Sequence, residues 1–282
     1  MKKISTLLVE AKITELLMDA NFDIGEDFIA NLNKKIEEEN SDVAKLVLSQ
    51  LIENDNIAKL ERIPMCQDTG MAVIFIELGQ EVQLVGKNIY EAINDGVKKA
   101  YEEGYLRKSV VSDPLFNRVN TQTNTPAIIH FDIVQGDEIH ITVAPKGFGS
   151  ENMSAIKMLK PADGVEGVKN FVLETVKKAG PNPCPPIIVG VGIGGTFEKA
   201  AILSKKALTR DINTQNKDER YACLEKELYE SINKLNIGPA GLGGKTTALA
   251  VNIEYFPTHI AGLPVSVNIC CHAYRHKTGV VR

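Results

Sequence analysis

Between Ala127 and Pro145 the chain reads AIIHFDIV, then QGDE, then IHITVAP: two β-rich runs of alternating polarity around a short link that contains a Gly-Asp pair. A period of two places every second side chain on one face of a sheet, so this stretch commits the chain to sheet with one partly polar face. The short link predicts that the two runs pair with each other as a hairpin. The runs MAVIFIEL, after IPMCQDTG, and IIVGV, after PNPCPP, are apolar without alternation and fit strands covered on both faces. ALAVNIEYF and GLPVSVNICCHAYRH supply further loop and strand near the end.

Helical spacing accounts for much of the rest. Residues 1 to about 60 read as a helical opening, through Leu7, Leu8, Ala11, Ile13, Leu16 and Leu17, then Phe28, Ile29, Leu32 and Ile36. A third segment, Val43 to Ile52, follows Ser41 as N-cap. Asn88 and Glu91 resemble a capping box opening a helix to Glu103. Further helices are expected over Val165–Lys178, Thr196–Leu208 and Asp218–Leu235. The fold class is therefore α/β in the mixed α+β sense, a helical N-terminal segment followed by mixed β-sheets flanked by helices. No repeat, low-complexity tract or linker marks a boundary, so residues 1–282 are expected to form one domain.

Charge and composition exclude several function classes. Lysine plus arginine number 32 against 36 acidic residues, a net charge of −4, and no basic stretch suits a phosphate backbone, so no nucleic-acid partner is expected. The apolar runs fall far short of the roughly 20 residues that span a bilayer, so no membrane role is expected. Lys2 and Lys3 imitate a signal peptide, but Glu10 and Lys12 interrupt the apolar part behind them. Five cysteines at wide spacings make no disulfide framework and predict a reducing, cytoplasmic setting.

Two glycine-rich segments invite nucleotide readings. GVGIGG, Gly190 to Gly195, satisfies the dinucleotide fingerprint after a strand and before a helix, which keeps a dinucleotide-binding module as an alternative. The acidic residue that the fingerprint needs about 20 positions on is misplaced, so tight turning and close helix packing are the favoured reading. GPAGLGGKTT imitates a P-loop, but position 239 is proline where that pattern needs glycine. Its backbone amides could still hold an anion or merely turn the chain. His130 and His140 fall in the alternating runs, where a structural role is favoured, whereas His259 lies in the loop FPTHIAGLP and can face a cleft. Cys223 is expected at the edge of a helix's apolar face. Cys66, Cys184 and the pair Cys270 and Cys271 fall in loops or at strand ends, where they are buried free thiols or ligands of an iron-sulfur cluster.

The segments IPMCQDTG, YLRKSVVSDPL, NTPA, APKGFGSENMS, PNPCPP, GVGIGGTFEKAA, GPAGLGGKTTALAV and CCHAYRH, in this order from Glu61 to Lys277, resemble the alpha chain of class I iron-sulfur hydro-lyases, the family of class I fumarase and L(+)-tartrate dehydratase. The resemblance implies a 4Fe-4S cluster ligated by Cys66, Cys184 and Cys271. It selects the second cysteine of the pair, although alternation would set Cys271 beside Val265, Val267 and Ile269, and Cys270 with Ser266 and Asn268. Three thiolates leave one iron free to act as a Lewis acid. The resemblance further implies that Gln67, Arg107, Gly149 through its backbone, and His259 bind a small dicarboxylate, with Asp68 orienting or activating a catalytic group. The implied reaction is reversible dehydration of (S)-malate to fumarate, with L(+)-tartrate dehydration as the alternative. A threonine base and further cationic ligands are implied to lie in a beta subunit, most simply in an assembly of two alpha and two beta chains. Thr123 stands where the family often has aspartate, a change expected to affect loop anchoring.

Overall fold

The computed structural model describes residues 1–282, and the chain opens with a strand, β1 (Lys2–Ser5), ahead of the helices α1 (Thr6–Phe22), α2 (Glu26–Glu38) and α3 (Asp42–Glu61). The helical opening therefore needs correction at its first residues. Ser5 accepts from the Leu7 amide at 3.3 Å and so begins α1, which leaves Lys2–Ser5 extended. Ser41 does cap α3, accepting from Ala44 N at 3.3 Å. The next elements are β2 (Met71–Gly79), β3 (Val82–Val85), α4 (Ile89–Glu103), β4 (Ile128–Val134), β5 (Ile139–Lys146), the short turn α5 (Phe148–Glu151) and β6 (Ala155–Leu159). Then come α6 (Gly164–Ala179), β7 (Ile187–Gly194), α7 (Phe197–Ala207), α8 (Glu219–Asn233), β8 (Ala248–Phe256), β9 (Leu263–Cys270) and β10 (Lys277–Val281). No helix is long and apolar enough to cross a membrane.

These elements divide between two compact units. The first holds residues 1–24, 54–148 and 275–282, and the second residues 25–53 and 149–274.

In the first unit the strand order is β10-β5-β2-β4, with β1 and β3 forming a separate parallel pair. The expected hairpin is absent. β4 and β5 are strands, but β2 lies between them, parallel to β4 and antiparallel to β5. The reason is burial: five consecutive residues, Ala72 to Ile76, are buried, so β2 is stable only where both edges and both faces are covered. The polar link serves the neighbouring β2–β3 turn instead, with Gly79 N donating to Glu138 O at 2.9 Å and Glu81 N to Gly136 O at 3.0 Å. Helices α1 and α4 bury Val9, Ile13, Leu17, Ile93 and Val97 with Ile74, Ile76, Ile139 and Ile141 of the sheet. Asn88 caps α4 through Tyr90 N at 2.8 Å.

The second unit has strand order β6-β9-β7-β8, with β7 parallel to β8 and antiparallel to β9. All eight residues of β7 are buried. Ile187, Val189 and Val191 join Val172 and Val176 of α6, and Leu228 and Ile232 of α8, in one core. The other face of β7 carries Gly190 and Gly192 against α7. A Cβ would lie 2.2 Å from Ser204 O at the first and 2.0 Å from Ala200 O at the second, so only glycine allows this helix to pack. Gly190 and Gly192 are thus spent inside a buried strand on helix packing, and only the third fingerprint glycine, Gly195 at φ +68, lies at the half-exposed turn before α7. With two of its three glycines used for packing, the dinucleotide alternative loses most of its physical basis.

Candidate active site

In the first unit the segment from Met65 to Gly70 is held from several sides. Met65 N donates to Asn21 O at 3.0 Å, and Asn54 Nδ2 donates to Met65 O at 2.9 Å. Cys66 is half-buried, and its Sγ lies 3.5 Å from Gln67 Oε1; Gln67 itself is exposed. Both carboxylate oxygens of Asp68 accept main-chain N–H groups, Oδ1 from Gly70 at 3.0 Å and Oδ2 from Phe148 at 2.9 Å. Asp68 therefore joins the QDTG turn to the KGF segment.

Arg107 is exposed, and its main-chain carbonyl accepts from the buried hydroxyl of Thr69 at 2.9 Å. Behind Thr69 lies a buried polar scaffold that sequence reasoning missed. The Tyr101 hydroxyl reaches Thr69 O at 2.8 Å and Gly70 O at 2.9 Å, and burial pushes its ionisation well above the ordinary tyrosine range. Asn124, wholly buried at φ +56, accepts from Ser109 N and Val110 N and donates to Gly70 O at 3.1 Å. The only hint of it was the NTPA motif. Thr123 beside it pairs its hydroxyl with that of Thr125 at 2.7 Å, within the same loop.

In the second unit Cys184 precedes β7 and Cys271 follows β9. These strands are antiparallel neighbours with Ile188 opposite Cys270, so the two cysteines share one end of the sheet. His272 N donates to Cys184 O at 3.4 Å, joining their loops. Cys184 is exposed and has φ +53, uncommon for a residue with a side chain, and its N–H donates to Pro181 O at 3.1 Å. The alternation that set Cys271 with Val265, Val267 and Ile269 depends on where the strand stops. β9 ends at Cys270, which is buried, so alternation does not extend to Cys271, and Cys271 leaves the ladder half-exposed. Cys223 is exposed on α8 instead of bordering its apolar face.

Gly149 belongs to the same end of the sheet, since a Cβ there would lie 3.9 Å from Asn182 O. Glu151 fixes this segment, bound by Lys205 Nζ at 2.5 Å and by Asn268 Nδ2 at 3.0 Å. His259 is elsewhere. It lies on the loop between β8 and β9, tied to the other end of β7 by Gly195 N donating to Pro257 O at 3.2 Å. The eight residues of β7 separate it from the cysteine end by about 23 Å at a strand's rise of roughly 3.3 Å per residue. Its Nδ1 accepts from Ala261 N at 3.2 Å, which leaves Nε2 to carry a proton outward.

No three His, Cys, Asp or Glu side chains gather at metal-ligating distance. What fits an iron-sulfur cluster is the donor chemistry: Cys66, Cys184 and Cys271 are thiols on loops outside any disulfide, each at least partly exposed, whereas Cys270 is core.

The family model described as Fumarate hydratase (Fumerase) matches residues 10–280. A Methanocaldococcus jannaschii protein named "Putative L(+)-tartrate dehydratase subunit alpha" is 48% identical over 268 residues, 93% of this chain and 94% of its own. The L(+)-tartrate dehydratase subunit alpha of Escherichia coli K12 is 33% identical over 280 residues, 96% of this chain and 91% of its own. The Shigella sonnei protein of that name is similar to the same degree.

Proposed function

Because the chain belongs to the fumarate hydratase family of hydro-lyases, we propose that it is the alpha subunit of a two-part iron-sulfur enzyme that reversibly dehydrates (S)-malate to fumarate. The observation that carries this is the pairing of two cysteine loops at one end of the second unit's sheet, where Gly149 also lies. In this proposal Cys66, Cys184 and Cys271 each supply one thiolate to a 4Fe-4S cluster. Such a cluster, when bound, supplies a Lewis acid for the substrate hydroxyl and a neighbouring carboxylate. The names of the relatives favour L(+)-tartrate as a second substrate reading, with the same chemistry.

The chain's own residues bind and orient. Arg107 offers an exposed guanidinium to a carboxylate, with its backbone held by Thr69. Gln67 donates from its side-chain amide, and Gly149 from its backbone. With both carboxylate oxygens already accepting amides, Asp68 acts by holding the 66–70 turn in register with Phe148. In this proposal His259 donates through Nε2 to a substrate carboxylate, and, standing beyond the far end of β7 from Cys184, it is assigned to the site of a neighbouring copy. The base that takes the carbon-bound proton belongs to a beta subunit, in line with relatives named subunit alpha. Two alpha and two beta chains make the simplest closed assembly. Five cysteines without a disulfide among them suit a reducing, cytoplasmic setting.

Anaerobic reconstitution tests the proposal. The alpha chain alone should take up iron and sulfide yet show negligible turnover, and a beta subunit should restore dehydration of malate, with L(+)-tartrate assayed beside it. Full turnover by the alpha chain alone, or failure to bind iron, overturns it.

A further inference from the structure

The P-loop imitation GPAGLGGKTT is the motif that the proposed chemistry leaves unused. Its amides are already occupied by a side chain of this same chain. Glu39, 2% exposed, follows α2, and its Oε2 accepts from Lys245 N at 2.8 Å, Thr246 N at 3.1 Å and the Thr246 hydroxyl at 3.3 Å. Its Oε1 accepts from Asn40 N at 2.9 Å and Ser41 N at 3.3 Å. At Gly244, with φ +115, a Cβ would stand 3.0 Å from Oε2 and 2.8 Å from Ala44 Cβ, so the loop approaches this closely only with glycine there. Burial pushes the Glu39 carboxyl up, but the amides of Asn40, Ser41, Lys245 and Thr246 together hold it below its ordinary value, so it is a carboxylate at neutral pH.

From this clamp, hydrogen bonds run to the cysteine end of the sheet. Gly243 N donates to Ile237 O at 2.9 Å, and Gly238 N to the Thr247 hydroxyl at 3.2 Å, which folds the loop back on itself. Ala240 N then donates to Pro185 O at 2.8 Å, the residue after Cys184, and Ile187 N donates to Thr247 O at 2.9 Å. PNPCPP has few amides of its own to hold it, because proline lacks the N–H. Its two amides are spent locally, Asn182 N on Ala179 O at 3.2 Å and Cys184 N on Pro181 O at 3.1 Å, and the Ala240 amide adds a tie to Pro185 from outside the segment.

We propose that Glu39 is the resident anion of the glycine-rich loop and a positioning residue for Cys184, filling with a carboxylate the nest that a phosphate would occupy in a nucleotide-binding protein. Its value to the enzyme rests on Cys184 acting as a ligand. Amide exchange is read on the full chain without iron, so failure of the clamp is distinguishable from failure of the ligand role, which iron content reports.

In Glu39→Ala the Ala240, Lys245 and Thr246 amides should exchange faster by on the order of 10- to 100-fold, while β7 and α6 keep their protection. Sodium formate, which can refill the vacated nest, should restore protection where sodium chloride at equal ionic strength does not. Unchanged protection in the variant, or protection lost and indifferent to formate, overturns the proposal. Should that variant not fold, the unmodified chain decides. There the three amides should open together, with one opening free energy and one denaturant dependence, and independent opening overturns the clamp.

Discussion

Arg275 Nη1 donates to the main-chain carbonyl of Asp68 at 2.6 Å. The same nitrogen lies 3.2 Å from Asn21 Oδ1, and the residue is 4% exposed. A buried cation thus holds the turn that carries Cys66, Gln67 and Asp68 by its backbone, leaving the Asp68 carboxylate to the amides of Gly70 and Phe148. Loss of a charged donor to a buried carbonyl costs about 1.5–3 kcal/mol. Arg275→Ala should therefore lower stability by about that much in denaturant titration and reduce iron retention in the reconstituted chain. Arg275→Lys should recover part of both. Wild-type stability with full iron content in Arg275→Ala would show that the turn stands without it.

Arg107 and His259 are exposed, so alanine at either should leave the melting temperature within about a degree or two of the parent, since surface changes rarely exceed about 0.5 kcal/mol. Removal of a charged or directed donor to a substrate carboxylate should instead cost about 2–5 kcal/mol in kcat/KM of the assembled enzyme. Near-normal kinetics in either variant removes that residue from the site.

The distance between His259 and the cysteine end allows a mixing test. Enzyme assembled from Cys184→Ser chains and His259→Ala chains together should regain activity that neither has alone, because one site then draws both intact residues from different copies. Mixtures as inactive as their parents would show that no site combines the two residues from different copies.

Among the cysteines, serine at Cys66, Cys184 or Cys271 should abolish iron retention. Cys223→Ser and Cys270→Ala should keep it, since the first thiol is exposed on α8 and the second is buried in β9. Equal iron loss in the Cys223 and Cys271 variants would refute the ligand set.

Asp55, 4% exposed on α3, has one carboxylate oxygen buried without a partner, and burial pushes its carboxyl up to about 7. The unfolded chain releases this proton near pH 4, the folded chain only near pH 7. Over that window the folded state binds more protons, so stability falls as pH rises and then levels off. Asp55→Asn should accordingly stabilise the chain by about 2–4 kcal/mol at pH 8 and by little at pH 4, read as Tm or denaturation midpoint. A gain independent of pH would mean that the ionised carboxylate is not the destabilising group.

The fold was legible wherever one segment's own pattern decides its state. Helices α4, α6, α7 and α8 begin and end within a residue or two of the limits that their periodicity and caps predict, because helix hydrogen bonds close within the segment. The strands β2, β4, β5, β7, β8 and β9 were equally visible. Their pairing was not: AIIHFDIV and IHITVAP look like a hairpin, but β2, more than 50 residues upstream of β5, is the partner of both. Nor does composition mark the two units, since the chain passes between them after residue 24, inside α3 after residue 53, and again after residues 148 and 274, with no linker.

By itself the sequence determined the element types, the family and the cysteine-bearing segments, because these are local patterns and ordered motifs. Only the tertiary structure decided which thiol of the Cys270 and Cys271 pair is core, since that depends on where β9 stops pairing with β7. It also decided that GVGIGG serves helix packing, that Glu39 fills the GGKTT nest, and that Tyr101, Asn124 and Arg275 stand behind the QDTG turn. All are contacts that close only when the chain folds: the glycines give room for a helix, and the polar groups are buried and must find partners wherever folding brings one.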